Sequence, residues 1–435
     1  MRKITGICMI WIALAGSLFA DEPEARVLTL EDALWRSLET DERIHIQREQ
    51  IGIAGLDINR AWTIISPRLE ARATYERPES AIRDEAGREL VPEDTWRGTI
   101  TATQPIFDGR VLSARRAGIA LESAEEYTLA HTIRGALFEV VGAYYETLRA
   151  QEQVRISKLT QELASREVER ARARFEAGEV RRTELLRAEV DESMARRNLV
   201  TARNSLQLAL SDLARRVGLP ADELLSVTQP DMVEEPETDE LYPLYLRALE
   251  DRDDLAAART RVKAAREERT VIRRDAWPTL SVQYNHRFID PETPTSRNDF
   301  WDVAAVARLE FWDGGSRRIS RVQQERRIDQ ASLRVQELEK RIEIEVRQAL
   351  LDVELLRENV ETIKMEVTLA EENYRTLSEQ ARVGLATSLD VSTALNALDR
   401  ARTELTQQQF GLEVAKYNLQ LVIGRFADAM IYGEE

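Results

Sequence analysis

Few residues in this 435-residue chain are placed to do chemistry. The three histidines, His45, His131 and His286, are far apart and share no metal-ligand spacing. The only cysteine, Cys8, lies in an apolar N-terminal stretch, so the rest of the chain has no disulfide, thiolate nucleophile or cysteine metal site. There is no Walker loop, no nucleophile elbow and no paired catalytic carboxylate in a glycine-rich setting. The residues predict no catalytic centre, no cofactor and no metal site. What stands out is a pair of glycine-centred segments. In Val383-Gly384-Leu385 the glycine is placed to end a helix at positive φ. Thr387 is placed to cap the next helix, with Asp390 three residues on closing a capping box. In Ala177-Gly178-Glu179 the apolar neighbours are missing. There Arg181 stands where Thr387 would be and Glu184 where Asp390 would be.

These segments belong to a long internal duplication. Residues 172–218 and 378–424 align without a gap at an offset of 206: Gly178 falls on Gly384, Ala188 on Ala394, Leu213 on Leu419 and Gly218 on Gly424. Upstream, Pro67-Arg-Leu69 answers Pro278-Thr-Leu280, and Phe107-Asp108-Gly109 answers Trp312-Asp313-Gly314. A repeat this long places any function on matched pairs of segments.

Residues 1–20 read as a secretory signal, with Arg2 and Lys3 ahead of an apolar stretch and small residues at Ala13, Ala15 and Ala20; Leu18 leaves the cleavage position open. Acidic residues number 77 against 61 Lys and Arg, a formal charge of −16, and losing Arg2 and Lys3 makes the remainder more acidic. That balance argues against nucleic acid as a partner. No later apolar run is long enough for a transmembrane helix, which leaves a membrane β-barrel open.

Two kinds of segment fill each repeat. Between Gly315 and Gly384 there is neither glycine nor proline. Positions 342, 346, 349, 353, 356, 360, 363, 367, 370, 374, 377 and 381 are all apolar or aromatic in strict 4-3 spacing, a coiled-coil seam. The helix over 316–382 should be on the order of 100 Å long. Val391, Ala394, Leu398, Ala401 and Leu405 begin a return seam, matched by Leu185, Ala188, Glu192, Ala195 and Leu199. Each half therefore carries a long antiparallel helical hairpin.

The other segments are short and alternate. Leu280, Val282, Tyr284 and Phe288 interleave with polar residues, as do Trp301, Val303, Ala305, Ala307, Leu309 and Phe311. The first half offers Leu69, Ala71, Ala73 and Tyr75, then Ile100, Ala102 and Ile106. Period two over about 10 residues suits a tilted strand crossing a bilayer. Trp96, Trp277, Trp301 and Trp312 lie at or near the ends of these runs, where interfacial aromatic belts sit. His286, on the apolar side of its run, reads as an interface side chain. Polar loops join the runs, over 78–94 and over 290–299 with Pro291 and Pro294. Four strands cannot close a membrane barrel, and open edges are not tolerated in lipid. Strands that cross a membrane must then be pooled by several chains.

On these residues the chain resembles the trimeric outer-membrane efflux channels of the TolC-like type. The resemblance rests on Thr29-Leu-Glu-Asp-Ala33-Leu, the strand openings at Pro67 and Pro278, Gln104-Pro-Ile-Phe-Asp-Gly109, and Arg382-Val-Gly-Leu-Ala-Thr-Ser-Leu-Asp390-Val391 with its counterpart around Gly178. It implies a mixed α and β membrane protein: an internally duplicated, coiled-coil α-helical tunnel in the periplasm with four strands per chain pooled into a trimeric 12-stranded outer-membrane β-barrel. It implies a homotrimer in outer-membrane lipid, serving as the passive exit duct of a tripartite efflux or type I secretion system. A periplasmic adaptor would dock at the tips, with an inner-membrane pump as indirect partner. Under this resemblance Ala177, Gly178, Glu179, Val383, Gly384 and Leu385 are the docking tips. Asp390 is also a candidate for an entrance ring of carboxylates, although Thr393 occupies the place of a second acid one turn on.

The expected division is a signal at 1–20, a first repeat at 21–218, an acidic proline-containing linker at 219–243, a second repeat at 244–424 and a short tail at 425–435. The first repeat holds a strand pair near 67–107 and a hairpin near 110–218; the second holds a pair near 278–312 and a hairpin near 315–424. In the linker Asp231, Glu234, Glu235, Glu237, Asp239 and Glu240 read as solvated surface. The alternative is a periplasmic coiled-coil adaptor or scaffold without a barrel, which would need neither two hairpins nor alternating aromatic runs.

Overall fold

A computed structural model describes residues 26–433 apart from 84, 88, 92, 231–239 and 291–298. The expected signal, the acids Asp231 to Asp239 and the loop prolines Pro291 and Pro294 lie outside the described residues. In chain order the elements are β1 (Arg26–Leu28), α1 (Leu30–Thr40), α2 (Glu42–Thr63), β2 (Arg68–Glu76), β3 (Ile82–Arg83), β4 (Glu89–Val91), β5 (Thr95–Phe107), α3 (Val111–Glu176) and α4 (Arg182–Arg216). Then follow β6 (Leu225–Val227), α5 (Leu241–Asp251), α6 (Asp253–Arg274), β7 (Thr279–Asp290), β8 (Asp299–Arg308), α7 (Ser316–Arg382), α8 (Ser388–Val422) and α9 (Asp428–Tyr432). The helices repeat almost residue for residue. α1 and α5 have 11 residues each, α2 and α6 have 22, α3 and α7 have 66 and 67, and α4 and α8 have 35.

The 4-3 seam does in α7 what its spacing demands. Ile342, Val346, Ala349, Val353 and Val360 are buried, and the other seam residues down to Ala381 are half-buried. Their partner is α8, whose Val391, Ala394, Leu398, Ala401 and Leu419 are buried. α3 and α4 form the corresponding hairpin, with α6 against both α3 and α7. Among the described residues no helix is long and apolar enough to cross a membrane.

A mixed core sits where the short elements meet the hairpins. β6 lies inside the stretch expected to be plain linker and pairs in parallel with β1, in the register Arg26↔Leu225, Val27↔Ser226 and Leu28↔Val227. Tertiary packing explains the difference: Leu225 is buried, and Leu28 and Val227 join the buried cluster that includes Leu137, Val141 and Tyr144 of α3. The Tyr144 hydroxyl donates to the Thr228 carbonyl at 2.6 Å and lies 3.0 Å from the Leu28 carbonyl, pinning the strand pair to α3. Nearby, the buried Arg134 donates to Asp253 at 2.8 Å, to Asp428 at 2.6 Å and to the Phe426 carbonyl. Tyr432 donates to the other oxygen of Asp253 at 2.7 Å, so α9 is clamped back onto α3 and α6.

The long strands form one antiparallel sheet in the order β2-β5-β7-β8. β2 pairs with β5 through Leu69↔Ala102 and Tyr75↔Trp96; β5 pairs with β7 through Ile100↔His286; β7 pairs with β8 through Tyr284↔Val303. One face thus gathers Leu69, Tyr75, Trp96, Ile100, Tyr284 and Trp301, all exposed. The opposite face is mostly polar, with Ile289, Phe300, Ala304 and Val306 as apolar members. β8 ends at Arg308, short of the alternating run to Phe311, because its partner β7 begins at Thr279, directly opposite Arg308. Phe311 and Trp312 follow as exposed aromatics, at 89% and 81%. His286 stands on the apolar face, its ring centroid 4.3 Å from that of Phe288 with the planes tilted by 32°, and is paired with Asp299.

Candidate partner-docking tips

The far ends of the two hairpins lie side by side. α3 is capped by Ala177 and α7 by Val383, each followed by a glycine at φ +78° (Gly178 and Gly384). Both turns close by the same pair of bonds. Gly178 donates to Phe175 at 2.9 Å and Glu179 to Arg174 at 2.9 Å; Gly384 donates to Ala381 at 3.3 Å and Leu385 to Gln380 at 2.9 Å. This is the Schellman arrangement, in which the residue after the glycine usually packs an apolar side chain back on the helix.

Neither tip makes that apolar contact, and they differ in how. In the first, Glu179 turns back as a carboxylate onto Arg174 at 3.3 Å, leaving a polar apex. In the second, Leu385 is 79% exposed and Val383 70% exposed, so two aliphatic side chains face solvent. Arg174 bridges the hairpins by donating to the Ala381 carbonyl at 3.0 Å, and Arg170 donates to Ser378 at 3.0 Å. Burial raises the carboxyl pKa of Glu167 even though it is paired with Arg170 at 2.6 Å.

The helix starts differ as well. Thr387 accepts from the Asp390 amide at 3.3 Å, and Asp390 accepts from the Thr387 amide at 2.8 Å, a complete capping box. The Thr387 backbone bond, followed by its hydroxyl bond, lowers the carboxyl pKa of Asp390. At the first tip the cap position is Arg181, whose side chain makes no cap bond; Glu184 is in the first turn of α4 without a capping partner. Arginine carries no acceptor, so the box cannot form there.

Between the hairpins, just behind the tips, lies a cavity of about 320 Å³ lined by Arg170, Arg174, Glu184, Met194, Arg382 and Leu395 among others. Sequence reading missed Arg174 and Arg170 as bridging residues, since their partners lie across a repeat boundary. Among the described residues no group of three or more His, Cys, Asp and Glu side chains is placed to hold a metal ion.

Comparison with known proteins gives one consistent picture. Residues 48–219 and 244–425 match the family described as outer membrane efflux protein. The alkaline protease secretion protein AprF of Pseudomonas aeruginosa is 23% identical over 441 residues, spanning 99% of this chain and 90% of AprF. The proteases secretion protein PrtF of Dickeya chrysanthemi is 22% identical, spanning 98% of this chain and 93% of PrtF. Among solved structures, the outer membrane protein VceC of Vibrio cholerae superposes with a TM-score of 0.74 at 19% identity, covering 91% of this chain and 96% of VceC.

Proposed function

This chain belongs to the outer membrane efflux protein family, and from that membership we propose that three copies build an outer-membrane channel-tunnel. It serves as the passive exit duct of a tripartite efflux or secretion system, anchored in the outer membrane and reaching into the periplasm. The single observation that carries this reading is the open four-stranded sheet, apolar on one face and mostly polar on the other, with β2 and β8 as free edges. Such edges are untenable in lipid unless other copies pair with them, and three copies pool 12 strands, enough to close a barrel.

The helices support the same assembly. On α7, Ile344, Leu351, Leu355, Met365 and Leu369 are more than half exposed. Ile344 and Leu351 follow the seam residues Ile342 and Ala349 by two positions, about 200° round the helix. A helix apolar on two opposite sides is built for a wall with neighbours on both. α8 takes one side, and a second copy takes the other.

In this reading the chain divides into repeats at 21–218 and 244–424, each giving one strand pair and one hairpin. The tips Ala177-Gly178-Glu179 and Val383-Gly384-Leu385 dock a periplasmic adaptor, and an inner-membrane pump supplies the energy. Thr387 and Asp390 hold the second tip in shape, and Glu184 borders the cavity behind the first. The duct itself performs no catalytic step. A periplasmic adaptor or scaffold is disfavoured by the amphipathic sheet, for which it has no use.

Membrane fractionation with gel analysis tests the proposal. The protein should extract from outer membranes only with detergent and run as a heat-dissociable trimer. Recovery as a soluble periplasmic monomer would end it.

A further inference from the structure

The polar face of the sheet is basic, in a chain whose formal charge is −16. Strand register puts Arg68, Arg72, Arg97, Arg287 and Arg308 on that face, against Glu70, Glu76 and Asp302. Each acid already has an arginine: Glu70 with Arg72 at 3.0 Å, Glu76 with Arg97 at 3.3 Å, and Asp302 with Arg287 at 3.1 Å. Among the described residues of that face, Arg68 and Arg308 are left in excess. Asp108 acts on Arg68 from outside the sheet, but Arg110 holds that carboxylate at 2.6 Å.

The two excess arginines occupy matching places on opposite edges. Arg68 is the first residue of β2, which leaves the helices, and Arg308 is the last of β8, which returns to them. Both stand at the rim where the sheet meets the helical part. When copies close a barrel, β8 of one adjoins β2 of the next. The two guanidinium groups then lie at one rim on neighbouring strands, which are spaced about 5 Å apart. Like charges across such a pair destabilise it unless an anion lies between them.

We infer that each seam between copies carries an anion site made of Arg308 from one copy and Arg68 from the next. The three sites form a collar at the junction of barrel and tunnel. The ligand is a small oxyanion, or a carboxylate or phosphate group on a passing solute. Planar guanidinium groups bind such oxygens through paired N–H donors. The collar makes the exit favour anions over cations of equal size. This inference rests on the trimeric-channel reading.

The test uses the purified full-length protein in planar bilayers, with a chloride gradient near 10 mM, where the screening length is roughly 30 Å. Replacing both arginines (Arg68→Gln with Arg308→Gln) should lower the anion-to-cation permeability ratio by roughly threefold. Arg68→Lys with Arg308→Lys should keep most of it. Millimolar inorganic phosphate should reduce chloride current in the unaltered protein and not in the glutamine variant. An unchanged ratio in a conducting glutamine variant overturns the collar. If that variant does not assemble, the phosphate effect and the single Arg308→Gln variant decide instead: the single change should give about half the shift, and no shift with no phosphate effect also overturns the collar. Absence of channels and trimers in the unaltered protein defeats the underlying reading, a different result from either.

Discussion

The guanidinium of Arg174, in the last turn of the first long hairpin helix, donates to the main-chain carbonyl of Ala381, in the last turn of the second, at 3.0 Å. The bond ties together the ends of two helices separated by 207 residues in sequence. The same side chain also meets Glu179 at 3.3 Å, so the first tip is folded onto itself and latched to the second by one residue.

Arg174→Ala should therefore loosen the pair of tips without unfolding either hairpin. A charged hydrogen bond at a partly exposed site is worth about 1 kcal/mol after solvent screening. The expected result is a broader distance distribution between spin labels on the two tips and a larger or more frequent open conductance. An unchanged distribution would show that the Arg170–Ser378 contact alone suffices.

Gly384→Pro should weaken adaptor engagement and leave the trimer assembled. Proline fixes φ near −65°, whereas Gly384 sits at +78°, and it removes the amide that donates to Ala381. Cross-linking yield between the second tip and the adaptor should drop several-fold. Gly178→Pro should cost less, because the first tip offers no exposed valine and leucine.

The start of α8 should loosen as pH falls. Hydrogen bonds to Thr387 lower the carboxyl pKa of Asp390, so the folded state binds this proton less readily than the unfolded state. The stabilisation is complete above the ordinary carboxylate pKa and disappears as pH falls through the lowered one. Amide exchange at Leu389–Val391 should speed up over that acid range, and Asp390→Ala should show the faster exchange at neutral pH. In single-channel recordings the same variant should change cation selectivity only modestly.

Arg134→Met should be among the most destabilising single changes in the chain. It strands Asp253, which is 5% exposed, without its cation. Breaking a buried pair in this way costs about 3–5 kcal/mol. Thermal unfolding should fall by several degrees, and protease should reach α9 at Asp428–Tyr432. Adding Asp253→Leu should recover part of the loss, since the uncompensated charge goes with it.

Much of the helical architecture was legible because it is periodic. A 4-3 seam repeated over some ten turns admits one buried stripe, and Gly178, Gly384, Pro67 and Pro278 mark where regular structure must stop. The capping box was legible for the same reason, since Thr387 and Asp390 satisfy each other within four residues. Contacts between elements far apart in sequence were not. Arg170 and Arg174 look like ordinary solvated arginines until α7 lies alongside them. Arg134 looks like one more charged residue on a long helix until Asp253 and Asp428 converge on it from 119 and 294 residues away.

Alternation alone determined that each strand has an apolar and a polar side, and duplication that the strands come in two pairs. Only the tertiary structure decided the order β2-β5-β7-β8 and its register, because many pairings keep the same sides together. It also folded Leu225–Val227 against β1, where burial against Tyr144 outweighs a sequence that reads as linker. Local spacing fixes local form through bonds that close within a turn or two. Long-range pairing is chosen by shape and charge that come together only once the chain has folded.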